Sequence, residues 1–317
     1  MQIPPSVLSA VGATLRSRGG HATGIRSIAR VGGGCINPSA RLEGEDGKTY
    51  FLKWNEAAPS GMFEAEADGL TALASPGVLR IPEVLGWGGR TSRDDPGWLL
   101  LEFIPRGAAG KDYGLRLGEG LARLHGSAPP HPPANADKAA GGPSFGWRRD
   151  NFIGSLPQAN RETGRWAVFW RDARLGPQLK RARQLGYFSR EDGRTLDRLL
   201  SRIEDILPPD GGQGPALLHG DLWSGNYYPD PSGAPVLIDP AVYRGEGEVD
   251  LSMMELFGSL PVGFLEAYGA MRPVPAEYET FRRDLYQLYY LLVHVNLFGR
   301  GYLGGSLAAA RRVLAAT

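Results

Sequence analysis

The sequence predicts an α+β chain in two unequal parts: a small β-rich part over 1–104 with one main helix, and a larger, mainly helical part over 105–317. Three observations carry this prediction. Residues 27–104 alternate β-rich runs with a single helical pattern, the character of the chain changes after Pro105, and most periodic segments beyond it repeat at helical spacing. A length of 317 residues fits about two compact units with a sizeable core.

From Ser27 the chain reads SIARVGGGCINPSARL, then the polar turn GEDGK, then TYFLKW. The order is strand, glycine loop, strand, turn, strand. SGMFEAEADGLTALA follows, with Met62, Phe63, Ala67, Leu70, Leu73 and Ala74 at helical spacing and Pro76 and Gly77 to stop the helix. IPEVLGWGG and GWLLLEFI are two further strands, the second an uninterrupted apolar run expected of a strand covered on both faces. In YGLRLGEGLARLHGS, Leu115, Leu117, Leu121 and Leu124 fall at roughly helical spacing. Residues 128–143 are rich in Pro, Ala and Gly without periodicity and read as a surface loop. WAVFWRDARLGPQLKRARQL and RTLDRLLSRIEDIL are helical patterns. In PALLHGDLWSGNYYPDPSGAPVLIDPAVYR, two short apolar runs precede polar loops and read as strands that could lie side by side. The most apolar stretch, 285–298, is broken by Gln287, His294 and Asn296 and falls short of the ~20 residues that span a bilayer, so it reads as a buried helix.

Composition narrows the function classes. Hydrophobic residues make up 42% and charged residues 22%, ordinary for a globular chain, and 45 glycines with 25 prolines announce many turns. A formal net charge of +1 supplies no global field toward nucleic acid or an anionic membrane, so neither is an expected partner. One cysteine, Cys35, excludes an intrachain disulfide, and MQIPPSVLSA lacks the basic start and apolar run of a secretory leader, so a cytoplasmic location is expected. Neither a Cys/His metal spacing nor a GxxxxGK[ST] loop is present.

Phosphoryl transfer from ATP needs a cover over the phosphates, a cation on them, an acceptor for the substrate hydroxyl proton, and ligands for magnesium. The chain offers all four in order. Gly32, Gly33 and Gly34, followed by Cys35, can turn sharply and present backbone N–H groups to phosphate oxygens, although from these residues alone a plain hairpin turn is the better reading. Lys53 ends the third strand, and Glu66 opens an E-x-x-x-L-x-x-L pattern 13 residues later, where a carboxylate can pair with it; Glu64 competes for that role. LLHGDLWSGN, residues 217–226, is followed after 12 residues by the Asp of VLIDP. In that pattern Asp221 accepts or orients the hydroxyl proton, while Asn226 and Asp239 hold Mg2+ through oxygen.

HGDLWSGN, GGGCIN, FGWRRDNFIGSLPQ at 145–158 and NLFGRGY at 296–302 together resemble the fructosamine kinase family, the ketosamine-3-kinases, from about residue 8 to residue 312. HGDLxxxN alone marks the broader aminoglycoside and choline kinase-like phosphotransferases; the tryptophan form with DNFIG-LPQ is more specific. The resemblance implies a protein-kinase-like bilobal fold, with a nucleotide-binding lobe over 1–104 and a catalytic and substrate-binding lobe over 105–317. It implies ATP- and Mg2+-dependent phosphorylation of the O3 hydroxyl of a ketosamine, free or protein-linked, in deglycation repair. By the same resemblance Asp221 is the catalytic base, Asn226 and Asp239 are the metal ligands, and Lys53 and Glu66 anchor the phosphates. Glu102, Phe103 and Ile104 form the adenine hinge, and Trp223, His294, Asp150 and Asn151 lie on the substrate side. Where the family often carries a second histidine after His294, this chain has Leu297.

Two other readings remain at this level. Kinases of aminoglycosides or choline share the fold but favour acidic pockets, whereas Arg161, Arg165, Arg171, Arg174, Lys180, Arg181 and Arg183 make the segment after 160 basic, a run that most often forms a solvated helix face. A catalytically silent binding module would not need Lys53, Asp221, Asn226 and Asp239 together. Cys35, beside N–H groups aimed at an anion, is expected to be an oxidisable thiol that could join two monomers as a redox-dependent homodimer; packing under the loop as an inert small residue is the alternative.

Overall fold

The computed structural model describes residues 2–19, 24–31, 37–89, 95–128 and 144–317. Gly32, Gly33, Gly34 and Cys35, with the expected phosphate loop and redox dimer, lie outside the described residues, as does most of the 128–143 loop.

The N-terminal part begins with helix α1 (Pro5–Gly19). Strands β1 (Ile25–Arg30), β2 (Ser39–Gly44) and β3 (Thr49–Asn55) follow, then α2 (Met62–Ala74), β4 (Val84–Gly88) and β5 (Gly97–Glu102). The five strands form one antiparallel sheet in the order β1-β2-β3-β5-β4. Along β3, Tyr50, Leu52 and Trp54 turn to one face, where α1 covers them with Val7, Val11 and Leu15. Phe51 and Lys53 point to the other face, shared with α2. The strand's period of two thereby places Lys53 on the cavity side and its neighbours in a separate core. Helix α1 also explains why β5 is apolar throughout. Trp98 and Leu100 pack toward α1, and Leu99 and Leu101 toward α2. Full burial of a leucine such as Leu52 or Leu100 contributes about 1.5–3 kcal/mol.

Beyond Glu102 the chain runs without helix or strand to α3 (Tyr113–Gly126). A short hairpin follows, β6 (Asn151–Ile153) and β7 (Leu156–Gln158). Next come α4 (Trp166–Phe169), a π-helical turn over Trp170–Leu175, α5 (Gly176–Gln184) and α6 (Arg190–Ile206), which opens with a Ser189/Asp192 capping box. Strands β8 (Ala216–Leu218), β9 (Tyr227–Pro229), β10 (Pro235–Leu237) and β11 (Tyr243–Gly245) then precede α7 (Glu248–Leu256), α8 (Phe264–Met271), α9 (Arg283–Phe298) and α10 (Leu303–Ala316). Leu285 to Val293 of α9 are nearly all buried, so the apolar stretch is the central helix of this part. No helix among the described residues is long and apolar enough to cross a membrane.

Two expectations are corrected. The apolar runs before His219 and Asp239 do not pair with each other: β8 pairs with β11 and β10 with β9. The basic run after 160 is not one solvated face, because Arg174 is fully buried at the π-helical turn, which rotates the helix register by an extra residue. Its guanidinium lies 3.8 Å from the centre of the Tyr243 ring and bonds the carbonyl of Ala159 at 2.7 Å.

Candidate active site

A cavity of about 560 Å³ opens between the five-stranded sheet and the helical part, within the range of small-molecule sites. One end is walled by Phe51, Leu101, Phe103 and Ile104, the other by Lys53, Asp221, Asn226 and Asp239. An apolar slot leading to a charged end suits a purine followed by phosphates.

At the charged end, Lys53 Nζ lies 2.7 Å from Glu66 Oε1 and also pairs with Asp239. Glu64, the competing carboxylate, instead binds Arg149 at 2.9 Å. Burial by itself would favour a neutral Lys53 amine, but the carboxylates of Asp239 and Glu66 reverse that and hold its pKa above the ordinary lysine value. The residue therefore presents a fixed ammonium at the cavity.

Asp221 follows β8, on a loop fastened from several sides. Asp221 N–H donates to His219 Nδ1 at 3.2 Å, and His219 Nε2–H donates to the Ile238 carbonyl at 2.8 Å, next to Asp239. Ala241 N–H returns to the His219 carbonyl at 2.9 Å. These links bring Asp221 and Asp239 together without any pairing between β8 and β10. Burial, reinforced by the charges of Asp239 and Asp250, pushes the Asp221 carboxyl up to about 7. Asp239 itself has φ 57°, a left-handed conformation that costs of order 1 kcal/mol for a non-glycine residue and is characteristic of functional loops.

Magnesium favours oxygen ligands, keeps several waters, and takes one or two protein groups together with substrate phosphates. Asn226 and Asp239 fit that manner of binding. The Asn226 amide nitrogen is tied to the Asp221 carbonyl at 2.8 Å, and among the described residues no donor engages its side-chain oxygen, which leaves a neutral ligand beside the Asp239 carboxylate. Trp223 lines the same end of the cavity, its ring laid over Gly225, where any Cβ would collide with the indole.

The expected hinge residues line the apolar end, but their amides differ in use. Glu102 N–H is bound to the Glu83 carbonyl at 2.9 Å and Phe103 N–H to that of Thr49 at 3.4 Å, whereas Ile104 N–H has no partner among the described residues. Three expected substrate residues are placed differently. Asp150 does not line the cavity; its carboxylate accepts the Asn160 N–H at 2.7 Å. Asn151 borders the cavity, but its amide is spent inward, donating to the Val242 carbonyl at 2.7 Å and accepting from Gln158 and Asn160. His294 is not on this cavity's wall: Nδ1–H donates to the Tyr290 carbonyl at 2.8 Å, and its ring packs against Phe257, Tyr302 and Phe298.

A residue the sequence reading missed organises the loop. Asp250 of α7, fully buried, accepts His219 N–H at 2.8 Å and Gly220 N–H at 2.9 Å, and His125 Nε2–H at 3.2 Å. Tyr268 OH donates to the other His125 nitrogen at 2.9 Å. Burial keeps His125 below the ordinary histidine pKa and hence neutral, as this tautomer requires. The sequence does contain a trace of it, an acid among the apolar residues of EVDLSMMEL.

The profile of the fructosamine kinase family matches residues 7–316. A probable ketoamine kinase of Synechocystis is 40% identical over 273 residues, covering 86% of this chain and 85% of that protein. A protein named protein-ribulosamine 3-kinase, chloroplastic, from Arabidopsis thaliana is 38% identical, over 91% of this chain and 83% of its own. Among solved structures, a Thermobifida fusca protein that carries the name fructosamine-3-kinase superposes with a TM-score of 0.80 at 31% identity, covering 96% of this chain and 99% of the other. An aminoglycoside phosphotransferase in ternary complex with AMP-PNP and hygromycin B has a TM-score of 0.62 at 15% identity over 97% of each chain, a likeness of fold.

Proposed function

Because the chain belongs to the fructosamine kinase family, we propose that it transfers the γ-phosphoryl group of ATP to the O3 hydroxyl of a ketosamine. The observation that carries this reading is the convergence of Lys53, Glu66, Asp239, Asn226 and Asp221 at one end of a cavity whose other end is apolar. The family and the nucleotide held by the aminoglycoside phosphotransferase of like fold favour ATP as the donor.

In this reading the adenine occupies the slot between Phe51, Leu101 and Ile104, with Ile104 N–H as its free donor. Lys53, fixed by Glu66, neutralises phosphate oxygens. Asn226 and Asp239 would hold Mg2+, which when bound supplies positive charge against the phosphates. Asp221 takes the proton of the sugar O3 as that oxygen bonds to the γ-phosphorus; the bond from phosphorus to the β–γ bridging oxygen breaks, and ADP leaves with the electron pair. A carboxyl near pH 7 suits a base that must accept this proton and later release it. Trp223 offers an aromatic face to the sugar or its ammonium. A 3-phosphate made on a protein-linked ketosamine would serve deglycation, and the names of the plant relatives favour ribulosamine over longer sugars.

The test is ADP release with ribulosamine, erythrulosamine and fructosamine of lysine, beside choline and an aminoglycoside. Turnover confined to ketosamines, with phosphate on O3 by phosphorus and carbon NMR, supports the reading. Turnover on the amino alcohols alone would refute it.

A further inference from the structure

The segment 145–160 contains Asp150 and Asn151, both expected on the substrate side, and it spends its polar groups elsewhere. Trp147 Nε1–H donates to Asp68 at 2.8 Å, Arg148 pairs with the same carboxylate, and Arg149 binds Glu64 at 2.9 Å. Three consecutive residues thus grip positions 64 and 68, one turn apart on α2. Glu66 lies on the opposite flank of that helix, where it meets Lys53.

The same segment is tied to the chain just after Asp239. Asn151 Nδ2–H donates to the Val242 carbonyl at 2.7 Å, and Gln158 Nε2–H to the Ala241 carbonyl at 3.1 Å and to Asn151 Oδ1 at 2.8 Å. Asn160 donates to Asn151 Oδ1 at 2.9 Å and accepts from the buried Arg174 at 2.7 Å, while Tyr289 OH donates to Gln158 at 2.6 Å. A continuous hydrogen-bonded chain therefore runs from the π-helical turn and α9 to the two carbonyls that follow Pro240. Helix α2 also rests directly on that stretch: a Cβ on Gly69 would meet Val242 at 3.1 Å and Pro240 at 3.3 Å, so only glycine allows this approach without displacement.

We propose that the 145–160 segment is a positioning clamp, which holds α2 and the 239–242 stretch in one register so that Lys53 is shared by Glu66 and Asp239. Asp68, Arg148, Arg149, Asn151 and Gln158 are positioning residues; of these, only Asn151 lines the cavity. A lysine suspended between carboxylates from two parts of the chain needs both parts fixed, and no other element among the described residues places charged partners on both Glu64 and Asp68. The inference rests on Lys53 and Glu66 anchoring nucleotide phosphates, not on the identity of the acceptor sugar.

The experiment is a double-mutant cycle read by calorimetric binding of AMP-PNP with magnesium and no ketosamine. Asp68→Ala is expected to weaken binding about ten-fold in the wild-type background and to add almost nothing in a Glu66→Gln background, since the clamp acts through Glu66. Ketosamine KM should stay unchanged. Should Asp68→Ala fail to fold, the pair Arg148→Ala/Arg149→Ala, one exposed and one half-buried, replaces it in the same cycle. Equal losses in both backgrounds, or no loss in either, would overturn the clamp. Failure of the ketosamine reading would appear only in the sugar panel and would leave this cycle intact.

Discussion

The carboxylate of Asp250 receives the backbone N–H of Gly220 at 2.9 Å, one residue before the proposed base, and shares its other oxygen between the amide of His219 and the ring of His125. A buried acid in α7 thereby sets the backbone of a loop 30 residues earlier.

Replacing that acid by Asn leaves one oxygen for three donors, the two amides and the His125 ring, and turns an NH2 group against at least one of them, at about 1–3 kcal/mol for each unsatisfied group. Asp250→Asn is expected to lower the melting temperature by several degrees and kcat by roughly ten- to a hundred-fold, with little change in KM for ATP. Steady-state kinetics beside a thermal melt check this; wild-type kcat in a destabilised variant would show that the loop does not depend on these bonds.

Asp221→Asn is expected to lose ~10² to 10⁴ in kcat while still binding ATP, because the carboxamide cannot take the hydroxyl proton. Nucleotide titration and turnover on the same preparation separate the two effects. Near-normal turnover would remove Asp221 from the role of base.

Trp223→Ala is expected to raise KM for the ketosamine about ten-fold and to leave ATP affinity unchanged, since an aromatic face over a sugar ammonium contributes roughly 1 kcal/mol or more. The indole is partly exposed at the cavity, so its loss should scarcely move the melting transition. A defect confined to ATP would contradict the acceptor-side placement.

Glu246 is buried, and burial, with the Glu248 charge beside it, pushes its carboxyl up from 4.5 to about 7. The unfolded chain gives up this proton first, so the group lowers stability progressively between about pH 4.5 and pH 7, and by a constant amount above. The full effect is about 3 kcal/mol. Glu246→Gln should therefore melt higher than wild type at pH 8 and equally at pH 4, read by calorimetry at both. A variant less stable at pH 8 would show that the carboxylate is compensated in the fold.

Local pattern carried much of this protein. The period-two run TYFLKW put Lys53 on one face of a strand, the helical spacing of 62–74 marked α2, and HGDLWSGN with VLIDP named the acids at the charged end of the cavity. These features are legible because backbone periodicity and side-chain chemistry are properties of neighbouring residues. The family resemblance singled out Glu66, but both Glu64 and Glu66 open the same helix, and it is the docking of α2 that turns Glu66 to Lys53 and Glu64 to Arg149. The pairing of β8 with β11, the burial of Arg174 at a π-turn and the inward use of Asn151 were equally hidden. So was Asp250, whose partners lie 30 and 31 residues away, and the ion pair of Lys53 with Asp239 closes 186 residues of chain. Such contacts arise when distant segments bury polar groups against each other, and a buried carboxylate takes whichever N–H donors the packing brings to it.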